Sequence, residues 1–214
     1  MARLGRFHFE GEHKFWNPKT KSELAWYYAT SVNYLFANAI HGAYGKIDKV
    51  ASKEFEPVLD YAGGVGNNIL HLAKKGIKCQ YFGIGMMEYK FAQYRVMKNG
   101  FDNLVEFKEP YSAKTGFKFD PINGPLPRDG SLGSIIAMDV LEHIPNYHVV
   151  VKAMVESLKV GGIIIENSPF DNSVVDGDTE DTRVHLSNGG ISMKDAMGSS
   201  MNQEGGFIWK KIKE

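Results

Sequence analysis

The stretch from Pro57 to Asn68 constrains the fold of this chain more than any other. It reads Pro-Val-Leu-Asp-Tyr-Ala-Gly-Gly-Val-Gly-Asn-Asn: a short apolar run that ends in the acid Asp60, then a glycine-rich turn, then residues suited to a helix. A strand, a tight turn and a helix N-terminus in this order are typical of a nucleotide-type site in an α/β sheet. We therefore predict an α/β fold whose ligand site begins at this turn.

Apolar runs and helical segments alternate along the chain after this turn, and glycines follow several of the segments. This alternation predicts a Rossmann-like, doubly wound and mostly parallel sheet of six or seven strands. The predicted strands are Val58–Tyr61, Cys79–Ile84, Leu104–Phe107, Ser134–Met138, Ile163–Glu166 and Gly206–Lys213. The predicted helices between and after them are Asn68–Lys75, Glu88–Asn99, Tyr147–Leu158 (ended by Gly161 and Gly162) and Ser192–Met197, with a long loop at about Glu109–Gly133.

The residues before the first strand follow a helical rather than a strand period. Apolar residues recur at three- and four-residue steps in Ser22–Leu35, and a second helical segment, interrupted at Gly42 and Gly45, is expected from Ala37 to about Val50. We predict that residues 1–55 form a helical cap on an α/β core of residues 56–214. No repeat or linker divides the chain, so we expect a single domain.

Composition limits the classes of partner. Lys and Arg together number 25, as do Asp and Glu, so no net charge attracts nucleic acid or an anionic membrane. The single cysteine, Cys79, excludes an internal disulfide and fits a reducing compartment. No apolar run approaches the ~20 residues of a membrane helix, and the first residues lack a signal-peptide core. We expect a cytoplasmic protein with a small-molecule substrate, and no nucleic-acid or membrane partner; the oligomeric state is left open.

The spacing of the glycines excludes two common nucleotide sites. The dinucleotide pattern Gly-x-Gly-x-x-Gly, begun at position 62, meets Ala62, Gly64 and Asn67. The phosphate loop Gly-x-x-x-x-Gly-Lys-Ser/Thr is also absent from the sequence. The turn therefore predicts neither a dinucleotide cofactor nor triphosphate hydrolysis.

Two motifs in order resemble those of a known family. Val58–Gly66 resembles the first motif of class I S-adenosylmethionine-dependent methyltransferases, Val-Leu-Asp-x-Gly-x-Gly-x-Gly, with Ala62 in place of the first glycine. Met138–Pro145 resembles the Asp-Val-Leu-Glu-His-Ile/Val-Pro signature of small-molecule methyltransferases of the ubiquinone-biosynthesis type. Val184-His185-Leu186 is similar to the family's His-Val-His segment.

This resemblance implies a methyltransferase that uses the cofactor S-adenosylmethionine to methylate an oxygen, nitrogen or carbon of a small organic acceptor. It implies two candidate catalytic residues, His143 and His185, either of which could act as a general base or merely pack beside the site. The remaining histidines are not spaced as metal ligands, and no metal site is predicted. The cofactor-binding residues that it implies are Asp60, Ala62, Gly63, Gly64, Asn68, Met86, Glu88, Met138, Asp139 and Val140.

The chain departs from the family at the ribose. Relatives usually carry an acid at the end of the second strand that bonds both ribose hydroxyls, whereas this chain has Gly83 and Gly85 there. Glu88 is the nearest acid, and it could reach the ribose from the start of its helix. The alternative is a non-catalytic regulatory module that binds S-adenosylmethionine or a nucleoside. Asn167–Phe170 resembles the Asn-Pro-Pro-Phe/Tyr motif of nucleic-acid methyltransferases, but it follows the fifth strand rather than the fourth, which argues against such a substrate.

Overall fold

The computed structural model of the protein describes residues 35, 38–40, 42–83, 85–109, 111–112, 118–119, 122–171 and 185–214, with the backbone alone at 111–112 and 118–119. Nearly all of the predicted helix Ser22–Leu35 lies outside these residues. The second predicted helix is not continuous. It is observed as a helical stretch at 38–40 and a separate 3-10 helix, Gly45–Val50, with Gly42 between them at a φ of 74°.

The described residues form a seven-stranded sheet and a separate two-stranded ribbon. The sheet order is β3-β2-β1-β6-β7-β9-β8. All neighbours from β3 to β7 are parallel, and β9 runs antiparallel to both β7 and β8. This confirms the predicted Rossmann-like, mostly parallel sheet. The strands are β1 Val58–Tyr61, β2 Cys79–Phe82, β3 Val105–Lys108, β4 Tyr111–Ser112, β5 Lys118–Phe119, β6 Leu132–Met138, β7 Leu158–Asn167, β8 Met201–Gly205 and β9 Ile208–Lys211.

Within the described ranges, four α-helices lie between strands of the sheet: α1 Asn67–Lys74, α2 Met86–Lys98, α3 Tyr147–Ser157 and α4 Met193–Met197. Two further 3-10 helices, Lys53–Phe55 and Leu141–His143, precede β1 and follow β6. Helix α1 is followed by Gly76 at a φ of 74°, the left-handed backbone that commonly ends a helix. Helix α4 begins with a capping box between Ser192 and Asp195.

The sheet is buried on both faces because its strands are apolar at consecutive positions. Leu59, Ile135 and Ile164 belong to one core cluster together with residues of α3 and α4. Their neighbours Val58 and Ile136 belong to a second cluster, which includes residues of α1 and α2. Each such side chain contributes about 1.5–3 kcal/mol by its burial. The two layers hold the strand ends in fixed positions, and those ends carry the site.

Two local predictions were wrong for identifiable reasons. Helix α3 ends at Ser157, and β7 begins at the next residue, so Gly161 and Gly162 lie inside a strand rather than after a helix. A Cβ at Gly162 would lie 2.9 Å from the carbonyl oxygen of Gly133, so the glycine permits close approach of β6 where the strand register shifts.

The C-terminal strand was predicted as a single element but is a hairpin. Strand β8 lacks an apolar pattern, because it lies at the sheet edge and buries only Met201. Phe207, which lies within the predicted strand Gly206–Lys213, precedes β9 and is exposed. The predicted loop at Glu109–Gly133 contains the β4–β5 ribbon.

In the part of the chain that the structure describes, no helix has both the length and the apolar character needed to cross a membrane.

Candidate active site

Three acidic side chains are buried where three neighbouring strands of the sheet end. Asp60 lies near the end of β1, Glu88 in the first turn of α2 after β2, and Glu142 in the 3-10 helix after β6. All are less than 5% exposed, and each has at least one carboxylate oxygen without a hydrogen-bond partner among the described residues. Buried polar atoms are nearly always hydrogen-bonded, so unpartnered carboxylate oxygens point to a missing donor or cation.

Asp60 is held on one side only. Asn68 Nδ2, from α1, donates a hydrogen bond of 3.0 Å to Asp60 Oδ1, while Oδ2 is left without a partner. A Cβ at Gly63 would lie 2.4 Å from that Oδ2, so only glycine leaves room for the carboxylate. Burial raises the pKa of Asp60 to about 7, because the charged form loses its hydration.

The glycine turn itself is fixed by contacts from the second strand and its helix. The Tyr81 hydroxyl donates to the carbonyl oxygen of Gly64, and Arg95 Nη1 donates to that of Val65 at 2.6 Å. Gly64 has a φ of 52°, and no atom lies within 4 Å of the place its Cβ would take. Ala62 has a φ of 58°, in the left-handed region that L side chains disfavour. The turn thus keeps a glycine-like backbone even where the family's glycine is absent.

The glycines after β2 accommodate the protein's own polar groups. A Cβ at Gly85 would lie 1.8 Å from Glu88 Oε2, so the Glu88 carboxylate occupies the space of a side chain at position 85. A Cβ at Gly83 would similarly lie 2.1 Å from the Tyr81 hydroxyl oxygen. Burial raises the pKa of Glu88 to about 7. An acid is therefore present at the end of β2, supplied from three residues further along the chain.

The acid at the end of β6 is bonded on both sides. Asp139 has a φ of 53°, which Asp tolerates better than most residues. The Tyr44 hydroxyl donates to Asp139 Oδ2 at 2.9 Å, and Asn167 Nδ2 donates to Oδ1 at 2.8 Å. The neighbouring Met138 and Val140 are partly buried. Met86, the last of the predicted cofactor residues, is 54% exposed at the start of α2.

The two predicted catalytic histidines lie together. The ring centroids of His143 and His185 are 5.0 Å apart, with the rings at 71° to each other. The backbone N–H of Leu186 donates a hydrogen bond of 2.7 Å to the carbonyl oxygen of Glu142, which ties the His185 segment to the 3-10 helix after β6. Two histidines that are distant in the sequence are thus held in one place.

Sequence reasoning missed Glu142, which lies between these histidines. Its side chain has no exposed surface, and Oε1 lies 3.8 Å from His143 Nε2. Burial raises the pKa of Glu142 to about 7, with a further contribution from the negative charges of Asp139 and Glu166. The signal was present, since an acid beside a histidine follows a strand in Met138–Pro145. Its burial followed only from the structure.

The chain matches a family model over most of its length. Residues 28–196 match the model of the methyltransferase domain. The chain belongs to this family. The match confirms the predicted resemblance to class I S-adenosylmethionine-dependent methyltransferases, which rested on the glycine turn and on Met138–Pro145. No curated protein sequence matches the chain significantly.

Solved structures with this fold are only distantly related in sequence. The crystal structure of the [4+2]-cyclase SpnF is 18% identical with a TM-score of 0.56, covering 78% of this chain and 68% of that one. A structure titled for the conversion of a disulfide bond into a thioacetal group during echinomycin biosynthesis is 12% identical with a TM-score of 0.53, covering 81% and 84%. These similarities support the fold of the methyltransferase domain and carry no information about the acceptor or the activity of this chain.

Other matched structures are considerably longer than this chain. A putative sarcosine dimethylglycine methyltransferase from Galdieria sulphuraria is 17% identical with a TM-score of 0.46; the match covers 66% of this chain and 48% of that protein. The chain covers 35% of a structure of StiE O-MT. The chain thus spans about half the length, or less, of several structures that it matches.

Proposed function

We propose that this methyltransferase-domain protein transfers a methyl group from S-adenosylmethionine to an oxygen, nitrogen or carbon of a small organic acceptor, in the cytoplasm. The observation that carries the proposal is the set of buried acids at the ends of β1 and β2, each with an oxygen to which no described residue donates a hydrogen bond. A ligand with an ammonium group and ribose hydroxyls supplies the donors that these oxygens lack. The site thus fits the cofactor that the family uses.

Asp60 and the glycine turn would hold the methionine part of the cofactor. Asp60 Oδ2 is the free acceptor for the ammonium group, directly or through a water, and Gly63 leaves the space that this oxygen needs. Asn68 fixes the other oxygen and so orients the carboxylate. The open space at Gly64 allows a ligand to approach the backbone there.

Glu88 would bind the ribose in place of the acid that relatives carry on the strand itself. Its carboxylate fills the space above Gly85, and Oε2 is unpartnered among the residues described. Each charge-assisted hydrogen bond to a ribose hydroxyl contributes about 1.5–3 kcal/mol. The absence of an acid at positions 83 and 85 was the main reason to consider a non-catalytic module, and the position of Glu88 weakens that alternative.

Asp139 would bind the cofactor from a fixed position, because Tyr44 and Asn167 each donate to one of its oxygens and each oxygen keeps a second acceptor site. When bound, S-adenosylmethionine supplies a methyl group on a sulfonium that is already a good leaving group. The chain then has to align the acceptor with that methyl group and exclude water. His143 and His185, both half-buried, would lie beside the acceptor, where an imidazole could take its proton.

Calorimetry with S-adenosylmethionine and with its demethylated product tests this proposal. We expect micromolar binding of both ligands to the wild type. Asp60→Asn, which keeps the shape but removes the charge, should weaken S-adenosylmethionine binding about 10- to 150-fold, the equivalent of one charge-assisted hydrogen bond. Asp129→Asn, on an exposed acid far along the chain, serves as the matched control.

Binding by itself does not distinguish an enzyme from a regulatory module. Incubation with methyl-labelled S-adenosylmethionine and small-molecule extracts, followed by mass spectrometry, should show label transferred to an acceptor. If neither cofactor form binds, the proposed function is wrong. If both bind and no extract yields a labelled product, the regulatory module replaces the enzyme.

A further inference from the structure

The side chains of Glu142, His143 and His185 converge at the end of β6. Each offers one metal-binding atom, and these three atoms lie within 4.8 Å of one another. They are the one set of at least three such His, Cys, Asp or Glu residues found in the part of the chain that was described. The spacing of these residues does not predict a metal site, because Glu142 and His143 are adjacent while His185 follows much later.

The charge of Glu142 is poorly compensated by the protein. The side chain is fully buried, and neither carboxylate oxygen accepts a hydrogen bond of good geometry within the described ranges. The backbone N–H groups of Glu142 and Val140 offset only part of the effect of burial. The one ion pair of this side chain within those ranges is with His143, at 3.8 Å, which is too long for a hydrogen bond. The carboxylates of Asp139 and Glu166 add further negative charge nearby. A buried carboxylate in such surroundings calls for a cation, since an unpaired buried charge is costly.

We propose that Glu142, His143 and His185 bind a divalent transition-metal ion of the zinc class. Two imidazoles and one carboxylate are the protein ligands of many catalytic zinc sites, and the same set suits Fe²⁺, Co²⁺ and Mn²⁺. Donor atoms of a tetrahedral Zn²⁺ site lie about 3.4 Å apart, from bonds of about 2.1 Å. The distances between the three donor atoms, 4.8 Å or less here, would have to shorten by roughly 1.4 Å at most. Rotation of the partly exposed His143 and His185 rings can supply this change.

The backbone already places the three ligands for such a site. His143 N–H donates to the carbonyl oxygen of Val140 at 3.0 Å and closes the 3-10 helix that presents Glu142 and His143 in succession. The Leu186 N–H bond to the Glu142 carbonyl oxygen brings His185 to the same point. Three protein ligands leave coordination positions open, which would suit an acceptor with oxygen donors, such as a phenol, an enol or neighbouring hydroxyls. Metal binding itself does not depend on the proposed methyl transfer. With the ion bound, His143 and His185 would hold the metal and orient the acceptor instead of taking its proton.

Titration of chelator-treated, tag-free protein with ZnCl₂ and with CoCl₂ tests the site without cofactor or acceptor. We expect one ion per chain by calorimetry and, with Co²⁺, visible absorption bands of a low-symmetry complex. Glu142→Gln and His185→Ala should each weaken Zn²⁺ binding at least about 10-fold, since even outer-shell changes at metal sites cost that much. The matched control is His71→Ala, which removes another histidine that contacts a carboxylate, Asp48, at 2.7 Å.

A second readout separates metal binding from a purely structural role. Glu142→Gln should abolish the stabilisation by Zn²⁺, seen as a rise in the melting temperature of the wild type when the ion is added, and should leave the metal-free protein folded. If the wild type binds no Zn²⁺, or binds it no more tightly than Glu142→Gln and His185→Ala do, the proposal is wrong. If His71→Ala weakens binding as much as His185→Ala, the ion binds elsewhere and the proposal is equally wrong.

Discussion

Asp60 lies near the end of β1, Asp139 directly follows the neighbouring parallel strand β6, and their surroundings are opposite. Asp60 is 1% exposed, and described residues donate to only one of its two oxygens. Asp139 is exposed, and both of its oxygens accept hydrogen bonds from the protein. The same residue type at the same edge of the sheet therefore serves two purposes. The bonded acid holds the ends of β6 and β7 together, whereas the half-bonded acid is kept at a cost in stability that a ligand can offset.

The largest effect that we expect is on the free energy of unfolding, which should change in opposite directions when Asp60 and Asp139 are each replaced by Asn. Burial raises the pKa of Asp60 to about 7, so the folded protein holds a proton that the unfolded chain releases near pH 4. Stability is therefore lost as the pH rises from about 4 to 7, by about 4 kcal/mol at most for this group. Asp60→Asn removes that loss and should stabilise the cofactor-free protein at pH 8, with little effect at pH 4.

Asp139→Asn should act in the other direction and lower the free energy of unfolding by about 0.5–1.5 kcal/mol, because an amide group that donates replaces one of the two acceptor oxygens. Urea unfolding of both variants and the wild type at pH 4 and pH 8 measures the difference. The comparison fails if Asp60→Asn destabilises the protein at pH 8 as much as Asp139→Asn does.

A smaller effect is expected at the proposed ribose-binding part of the site, where the acid is Glu88 of α2 instead of a residue at the end of β2. Glu88→Ala should weaken S-adenosylmethionine binding by about 1.5–3 kcal/mol. Gly85→Asp alone should not help, because its Cβ would lie 1.8 Å from Glu88 Oε2. The double variant Gly85→Asp with Glu88→Ala should recover most of the lost affinity. The carboxylate introduced at position 85 would lie close to the space that the Glu88 carboxylate fills in the wild type.

Calorimetry of S-adenosylmethionine binding to these three variants and the wild type makes up a double-mutant cycle. Glu106→Ala, on an exposed acid of β3, is the control for a general loss of negative charge. Equal affinity of Glu88→Ala and the wild type would remove Glu88 from the site.

The smallest effect concerns Ala62, where the turn keeps a left-handed backbone without the family's glycine. Ala62→Gly should relieve that strain and stabilise the fold by about 0.5–1 kcal/mol after the added chain entropy of glycine. Cofactor affinity should change less than twofold, since the backbone shape is already in place. Thermal unfolding with and without S-adenosylmethionine measures both quantities; a marked gain in affinity would show that Ala62 distorts the turn.

The sequence predicted the sheet because its signals were local. Apolar runs such as Ser134–Met138 and the glycine turn after β1 identify their elements without knowledge of the rest of the chain. The errors arose where tertiary contacts decide. Gly161 and Gly162 resemble a helix end but lie within β7, where Gly162 permits close packing on β6, and β8 pairs by its backbone without an apolar face.

The site was predictable as a region but not in its details. Asp60 could be named from its motif, yet its half-bonded state depends on Asn68 and Gly63 folding around it. Gly85 suggested a missing acid because sequence position alone does not show that the Glu88 side chain turns back over it. Glu142 was overlooked because its burial between two histidines requires the fold to bring His185 to β6.

Proton release on cofactor binding is the most direct test of the claim that the cofactor supplies hydrogen-bond donors to the unpartnered oxygens of Asp60 and Glu88. At pH 6 both acids, with pKa values raised to about 7, are largely protonated in the free protein. A bound ammonium group and ribose hydroxyls favour the charged forms, so binding should release about one to two protons, and about one fewer in Asp60→Asn. Calorimetry with S-adenosylmethionine in two buffers of different ionisation enthalpy measures this number. Release that is reduced in Asp60→Asn is the predicted result, and binding without any proton release would contradict the account.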